Sequence, residues 1–153
     1  MYDIIILAIG KIKEKHFQAA IGEYLQRLQP YARVNVVELP FSPFKEGQAV
    51  NAKKQEGEKI LKFLVSKPDA RIIAMDEHGQ NLSSREFSDF LDKPGTFIFV
   101  IGGTAGLSEE VLAKAESKLA LSAMTFPHEM ARLFLCEQIY RAATIQKGKA
   151  YHY

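Results

Sequence analysis

Apolar residues along the chain follow two alternating patterns. Short, nearly continuous apolar runs are typical of strands buried on both faces of a parallel sheet, and they occur over residues 2–9, 34–39, 71–75, 96–101 and 118–122. Between these runs, apolar residues recur every three or four positions, which predicts helices over residues 11–29, 51–66, 84–91, from about 109, and from about 127 to 147. The alternation predicts an α/β fold with a mostly parallel sheet and helices on both faces.

The connections between these elements carry recognisable signals. Residues 41–50 have no clean period and predict a loop, and residues 76–79 predict a turn that ends the third strand. A capping box at residues 83–86 predicts the start of the third helix. Ligands of open parallel sheets bind at the carboxyl ends of the strands, so the loops after Met75, Ile101 and Ser122 are the candidate binding elements.

Two of these loops have unusual compositions. Residues 102–106 form a Gly-Gly-x-x-Gly loop, which lets the backbone approach a ligand closely but equally suits a tight turn. Residues 121–128 form an apolar loop with two hydroxyl groups and a proline. Such a loop either packs down as core or forms the wall of a pocket for a flat, partly apolar ligand such as adenine.

The last helix and the tail collect polar side chains. His128 and Arg132 are four residues apart, as are Glu137 and Arg141, so each pair shares one helix face. Isolated surface pairs of this kind contribute little to stability. The tail, residues 147–153, mixes cations with aromatic rings, which suits RNA but is also compatible with a frayed terminus.

Composition narrows the function classes. At 153 residues and 17.2 kDa, the chain predicts one domain spanning residues 1–153. A net charge of +2 is too small to indicate nucleic-acid binding by charge alone. The single cysteine, Cys136, excludes an intramolecular disulfide and a cysteine-based zinc site. The first apolar run lacks the marks of a signal peptide and no stretch could cross a membrane, so we expect a cytoplasmic protein.

Taken in order, the motifs resemble one family over essentially the whole chain. Residues 99–108, 121–128, 137–142 and 148–152 are similar, in sequence and spacing, to the motifs of the RlmH family. These are the small SPOUT-class methyltransferases of the bacterial large ribosomal subunit. Each motif alone has low specificity, whereas the ordered set is specific.

The resemblance implies a fold, a reaction and partners. The fold would be the SPOUT α/β knot, with the C-terminal part threaded into a trefoil knot. The protein would be a homodimer with its active sites at the subunit interface, and it would need no metal. The cofactor would be S-adenosylmethionine, and the reaction would be methyl transfer to N3 of pseudouridine 1915 in 23S rRNA of the ribosome.

The resemblance also implies roles for individual residues. The implied cofactor contacts are Met75, Gly103, Ser122, Ala123, Met124, Thr125, Phe126 and Pro127. The implied catalytic group is Glu137, Arg141, Tyr151 and His152, and the implied substrate contacts are His128, Arg132 and Tyr153. The family usually ends in Tyr-His-Lys or Tyr-His-Arg, so Tyr153 replaces a cation, and we expect weaker binding of RNA by the tail unless the ring stacks on a base.

Methylation at N3 requires loss of a proton from that nitrogen. Histidine ordinarily titrates near neutral pH, so the candidate bases are His152 and a water held by Glu137. Arg141 would stabilise the developing oxyanion on a neighbouring carbonyl.

Three alternatives compete with this interpretation. They are a SPOUT methyltransferase acting on tRNA, a non-catalytic ribosome-binding module with the same fold, and a flavodoxin-like nucleotide binder, which would need a Ser/Thr-rich loop after the first strand that is missing here.

Overall fold

The computed structural model describes residues 2–153 as five strands alternating with five helices. The strands are β1 Tyr2–Ile9, β2 Ala32–Leu39, β3 Arg71–Asn81, β4 Thr96–Ile101 and β5 Ser117–Ala120. The helices are α1 Lys15–Leu28, α2 Ala49–Val65, α3 Ser84–Leu91, α4 Glu109–Lys114 and α5 His128–Gln146. All strand pairs are parallel and the sheet order is β2-β1-β4-β3-β5. The predicted α/β class and the parallel sheet are confirmed.

Helices cover both faces of the sheet because the central strands are apolar on both sides. In β1, Ile4 and Ile6 face a core shared with α1, α3 and α5, whereas Ile5 and Leu7 face a second core under α2 and α4. Every residue of β4 from Phe97 to Ile101 is buried. This two-sided burial explains why the strands are continuous apolar runs rather than alternating ones.

The third strand continues beyond the predicted turn. β3 runs on to Asn81, and its pairing with β5 resumes after a register shift between Met75 and Gln80. Gly79 lies close to β5, since a Cβ atom there would lie 2.6 Å from the Lys118 carbonyl carbon. The prediction of a turn at residues 76–79 was therefore wrong: the glycine permits close approach of two strands at an irregularity.

Other boundaries differ by a few residues. α1 begins at Lys15 rather than residue 11: Gly10 ends β1 in a left-handed conformation (φ 86°), and the N-cap Glu14 is still extended (φ −75°, ψ 124°). β5 ends at Ala120, so residues 121–127 form a loop before α5. Within the described residues 2–153, no helix is long and apolar enough to cross a membrane.

The start of α3 is fixed as predicted. The Glu86 backbone N–H donates to Ser83 Oγ (3.2 Å), and the Glu86 carboxylate accepts from the Ser83 backbone N–H (2.7 Å). The bond from the Ser83 backbone N–H to the carboxylate, followed by the effect of the Ser83 hydroxyl, lowers the pKa of Glu86. The cap matters for function because Ser83 and Ser84 form part of the wall of the cavity described next.

Candidate active site

A cavity of about 380 Å³ opens where β3 and β5 end against α3 and α5. We call it the strand-end cavity. Its apolar wall includes Met75, Leu119, Leu121, Phe126 and Phe134, and its polar wall includes Gln80, Ser84, Glu137 and Gln138. Apolar walls with a few polar groups are typical of sites for small organic ligands. The position at the carboxyl ends of parallel strands agrees with the sequence-based expectation.

The loop after β5 forms one side of this cavity. Ser122 Oγ accepts a hydrogen bond from the Met124 backbone N–H (3.0 Å), and Thr125 Oγ1 donates to Glu77 on β3. The Phe126 ring lies edge-on to Phe134 on α5, with centroids 5.3 Å apart. These contacts join the loop to β3 and to α5, so the loop is held in place by both neighbours.

Only some of the predicted cofactor residues line the strand-end cavity. Of the eight, Met75 and Phe126 line the strand-end cavity. The others lie next to these two in the same loop or in the glycine loop, outside the cavity lining, namely Gly103, Ser122, Ala123, Met124, Thr125 and Pro127. Met124 is 74% exposed. Its side chain therefore contributes little to the cavity as it stands.

The glycine loop after β4 is compact and closely backed. The Gly106 backbone N–H donates to the Gly103 carbonyl (3.0 Å), and Gly106 has a left-handed φ of 82°. A Cβ atom on Gly103 would lie 3.1 Å from both Ile9 Cγ2 and Glu56 Oε2. The loop therefore uses its glycines for a tight turn and for close packing against α2, and close approach to a ligand stays a prediction.

The four predicted catalytic residues come together on the outer side of α5. Arg141 donates to Glu137 Oε1 through Nε (3.0 Å) and through one terminal nitrogen (2.6 Å). Tyr151 donates its hydroxyl proton to the same oxygen (3.1 Å), and the other terminal nitrogen of Arg141 lies 3.4 Å from His152 Nδ1. We call these four residues the tail cluster. The ion pair is partly buried and hydrogen-bonded, so it is not an isolated surface pair.

The tail reaches this position because the chain reverses after α5. Gly148 has a φ of 60°, and the Lys149 backbone N–H donates to the Thr144 carbonyl (2.9 Å). The Tyr151 ring then contacts Tyr140 edge-on, with centroids 4.9 Å apart, and the Arg141 guanidinium lies 4.7 Å from the Tyr151 ring centroid. A frayed terminus would make none of these contacts.

Burial and hydrogen bonding fix the charge states in the tail cluster. Burial, followed by hydrogen bonds with Tyr24 and Glu137, raises the pKa of Tyr151 above its usual range. The hydrogen bonds that Arg141 donates to Glu137 raise the pKa of Arg141. At neutral pH, Tyr151 is therefore a neutral hydrogen-bond donor and Arg141 a cation.

Glu137 connects the tail cluster to the strand-end cavity. Its second carboxylate oxygen accepts from Gln138 Nε2 (2.7 Å), and Gln138 Oε1 in turn accepts from Ser84 Oγ (2.8 Å). Glu137, Gln138 and Ser84 all line the cavity. The sequence analysis did not assign Ser84 or Gln138 to the site, although Ser84 belongs to the capping box and Gln138 to the motif at residues 137–142.

Comparison with known proteins decides the family. The model described as "Predicted SPOUT methyltransferase" matches residues 2–152. A Carboxydothermus hydrogenoformans protein named ribosomal RNA large subunit methyltransferase H is 44% identical over 159 aligned positions, which cover 98% of this chain and 99% of that protein. The chain belongs to this family of SPOUT methyltransferases.

Solved structures show the same SPOUT fold at low sequence identity. A probable methylase family protein of Haemophilus influenzae is 17% identical, with a TM-score of 0.60, over 99% of this chain and 71% of that one. A Legionella pneumophila protein solved with bound S-adenosylmethionine is 13% identical, with a TM-score of 0.53, over 93% of this chain and 66% of that one.

The predicted substrate contacts of this SPOUT protein differ in accessibility. Arg132 is 3% exposed, and its guanidinium donates to Glu38 (2.7 Å) and to the Gly10 carbonyl (3.0 Å). A buried guanidinium held in this way offers no surface to an RNA phosphate, so the geometry does not support direct substrate contact by Arg132. Tyr153, by contrast, is fully exposed.

His128 and Cys136 complete the set of titratable groups near the site. Burial lowers the pKa of His128, the nearby charge of Arg132 lowers it further, and Glu129 and Glu56 partly oppose this. Burial raises the pKa of the Cys136 thiol to about 12, which leaves it unreactive as a nucleophile. Among residues 2–153, no group of three or more His, Cys, Asp or Glu side chains could hold a metal ion.

Proposed function

We propose that the protein transfers a methyl group from S-adenosylmethionine to N3 of pseudouridine 1915 in 23S rRNA of the large ribosomal subunit. It would act in the cytoplasm. Membership of the ribosomal RNA large subunit methyltransferase H family supports this reaction class. The single observation that carries the proposal is the position of Glu137, which lines the strand-end cavity and also binds Arg141 and Tyr151.

The residues around the cavity fit S-adenosylmethionine. Met75 and Phe126 offer apolar surfaces for the adenine, and the loop over residues 122–127 offers backbone groups for its edge. Gly103 lacks the side chain that would obstruct the loop. When bound, the cofactor supplies an electrophilic methyl group on a positively charged sulfur.

Arg141 has the geometry of an oxyanion stabiliser. Two of its nitrogens are held by Glu137, and the third, which makes only a long contact with His152, is the one that can donate to a ligand. When N3 of the base loses its proton, negative charge spreads to the flanking carbonyl oxygens. A cation held in advance beside those oxygens lowers the barrier without reorganisation.

The structure favours His152 over Glu137 as the base. Glu137 has both oxygens committed to hydrogen bonds, and Tyr151 remains protonated at neutral pH. Arginine can only donate, so His152 Nδ1 is the acceptor in its 3.4 Å contact with Arg141. That contact is long, so a carbonyl oxygen of the bound base would replace Nδ1 as the acceptor of this Arg141 N–H, and Nδ1 would be released to accept the N3 proton.

The proposal includes one domain over residues 1–153, a trefoil knot and a homodimer. In the sheet, β4 lies between β1 and β3, although β4 follows β3 in the sequence. This strand order is compatible with the knot. Exposed apolar side chains on α5, Met130 and Phe134, support a partner surface beside the cavity. Light scattering at twice 17.2 kDa would support the dimer, and a reduced contour length on pulling the chain from both ends would support the knot.

The decisive experiment follows radioactive methyl transfer from S-adenosylmethionine to RNA. Intact ribosomes, large subunits, free 23S rRNA and tRNA would be compared, and the modified nucleoside would be identified by mass spectrometry. N3-methylpseudouridine in 23S rRNA supports the proposal. Methylation of tRNA alone would contradict it and favour a tRNA-directed SPOUT enzyme.

One observation favours a second candidate, a non-catalytic ribosome-binding module. Tyr153 stands where the family usually has a cation, and its side chain is fully exposed. Calorimetric titration with S-adenosylmethionine separates the two candidates. Binding at one site per chain supports the methyltransferase, whereas a folded protein that binds ribosomes but not the cofactor would be the module.

A further inference from the structure

The proposed mechanism leaves one buried acidic side chain unused. Glu56 lies in the middle of α2 and is 3% exposed. Its Oε1 accepts a hydrogen bond from the Ser42 backbone N–H (3.0 Å), whereas its Oε2 has no hydrogen-bond partner among residues 2–153. Leaving a buried carboxylate oxygen unpaired is costly, so its retention requires a reason.

The carboxylate faces the glycine loop. A Cβ atom on Gly103 would lie 3.1 Å from Oε2 and 3.2 Å from Oε1, so the carboxylate occupies the space on the side-chain face of Gly103. The next residue, Gly57, brings α2 closer still to the start of α4, where its Cβ would overlap Ser108 Oγ and lie 3.0 Å from Ser108 Cβ. α2 therefore packs closely against the glycine loop and against the N-cap that follows it, which fixes the position of the carboxylate relative to the loop.

The charge of Glu56 has no cationic partner at ion-pair distance within the described part of the chain. Lys59, three residues further along α2, directs its ammonium to the Pro40 carbonyl (3.0 Å) and Ser42 Oγ (3.4 Å). Arg132 is paired with Glu38 instead, and His128, whose pKa Glu56 affects, forms no ion pair with it among the described residues. Within residues 2–153, the glycine loop thus has behind it a buried carboxylate without an ion-pair partner.

We propose that Glu56 determines charge specificity at the cofactor site. Its buried carboxylate favours the positively charged sulfonium cofactor over the neutral product, S-adenosylhomocysteine, which differs by one methyl group and one charge. Product release is thereby favoured over product retention. At an effective dielectric constant of about 20, one unit charge beside a binding site changes the affinity for a charged ligand on the order of tenfold. The inference rests on the proposed cofactor site.

The test compares the affinities of both ligands for three proteins by calorimetric titration. Glu56→Gln removes the charge and keeps the shape, and Glu58→Gln removes an exposed charge from the same helix as a matched control. We expect Glu56→Gln to weaken S-adenosylmethionine binding roughly tenfold and S-adenosylhomocysteine binding less than twofold. Glu58→Gln should leave both affinities within twofold.

Each outcome bears on a different claim. If the wild-type protein binds neither ligand, the proposed function fails and the inference fails with it. If the wild type binds both but Glu56→Gln weakens them equally, or weakens neither, the charge plays no part and the inference alone is overturned.

A measurement on the wild type keeps the inference testable if Glu56→Gln does not fold. Sinefungin carries an ammonium group in place of the sulfonium methyl group, so it matches the cofactor in charge without being a methyl donor. The inference predicts that sinefungin and S-adenosylmethionine both bind roughly tenfold more tightly than S-adenosylhomocysteine. Equal affinities for all three ligands would overturn it.

Discussion

The strand-end cavity and the tail cluster share Glu137 but are built from different interactions. The cavity is a gap between strands and helices whose positions are set by the hydrophobic core, and Met75, Phe126 and Phe134 form part of its wall. The tail cluster is a set of hydrogen bonds and ring contacts that depend on the reversal of the chain at Gly148. The difference suggests a division of labour, in which the cavity binds and the cluster performs the chemistry.

The largest expected effect comes from the tail cluster. Arg141→Ala should lower kcat roughly 100- to 1,000-fold, because a preorganised donor to the developing oxyanion is lost. The cofactor affinity should stay within twofold, since Arg141 does not line the strand-end cavity. Single-turnover methyl transfer and calorimetric titration measure the two quantities separately.

A matched control is available on β3. Arg71 forms a partly exposed ion pair with Glu116 at the start of β3, so Arg71→Ala removes a comparable charge away from the cluster. Its kcat should change less than twofold. If Arg141→Ala instead abolished cofactor binding with the protein still folded, the division between binding and chemistry would be wrong.

The same contrast explains how much the sequence could predict. The strands, the faces of the sheet and the strand-end loops follow from apolar runs, because burial on both faces leaves a strong and local pattern. The turn predicted at Gly79 was wrong, because a glycine in the sequence indicates a turn equally well where the chain reverses and where two strands approach closely. The irregular pairing of β3 with β5 is a tertiary feature that no local pattern encodes.

The residues of the site were harder to place from sequence alone. Spacing put Glu137 and Arg141 on one helix face, but their partial burial depends on the tail folding back over them. Arg132 shows the opposite failure, since a cation on an apparently free helix face is buried against Glu38 and Gly10. In both cases the environment comes from residues that are distant in the sequence.

The cavity gives the second-largest effect. Phe126→Ala removes an aromatic wall and its edge-on contact with Phe134, so cofactor affinity should fall about tenfold. The rate of methyl transfer at saturating cofactor should fall less than threefold. Met124→Ala, an exposed neighbour in the same loop, should leave both quantities unchanged within twofold. A large fall in kcat with unchanged affinity would place the chemistry, rather than binding, at Phe126.

The contact between the two regions should give an intermediate effect. Gln138→Leu removes the hydrogen bond to Glu137 at nearly constant size, so kcat should fall about fivefold, which corresponds to the roughly 1 kcal/mol of one ordinary hydrogen bond. Ser84→Ala, one bond further away, should cost about twofold. KM for the cofactor should stay constant in both variants, which distinguishes positioning of Glu137 from collapse of the cavity wall. A rise in KM without a change in kcat would contradict this role.

Restoring a cation to the tail tests binding of RNA. Tyr153→Lys should strengthen binding to ribosomes about two- to threefold at low salt and steepen the salt dependence by roughly one phosphate contact. Tyr153 is fully exposed, so the substitution should not change stability. Tyr153→Ala provides the control for stacking. Loss of affinity in both variants would show that the ring itself binds RNA.

The smallest expected effect concerns stability rather than catalysis. Burial lowers the pKa of His128 below its usual value of 6.5, so the unfolded chain takes up a proton at this site at a higher pH than the folded chain does. Above pH 6.5 both states are neutral there and His128 contributes nothing to the pH dependence. As pH falls below 6.5, the unfolded state is stabilised and the protein loses stability.

The variant His128→Gln removes this contribution. Between pH 7 and pH 5, Tm of the variant should therefore fall less than Tm of the wild type, by about 2 °C. His16→Gln, an exposed histidine on α1, should track the wild type. Differential scanning calorimetry at a series of pH values measures the effect. An equal fall in Tm for wild type and His128→Gln would contradict this prediction. It would show that His128 takes up a proton in the folded state as readily as in the unfolded state, because Glu129 and Glu56 offset the effect of burial.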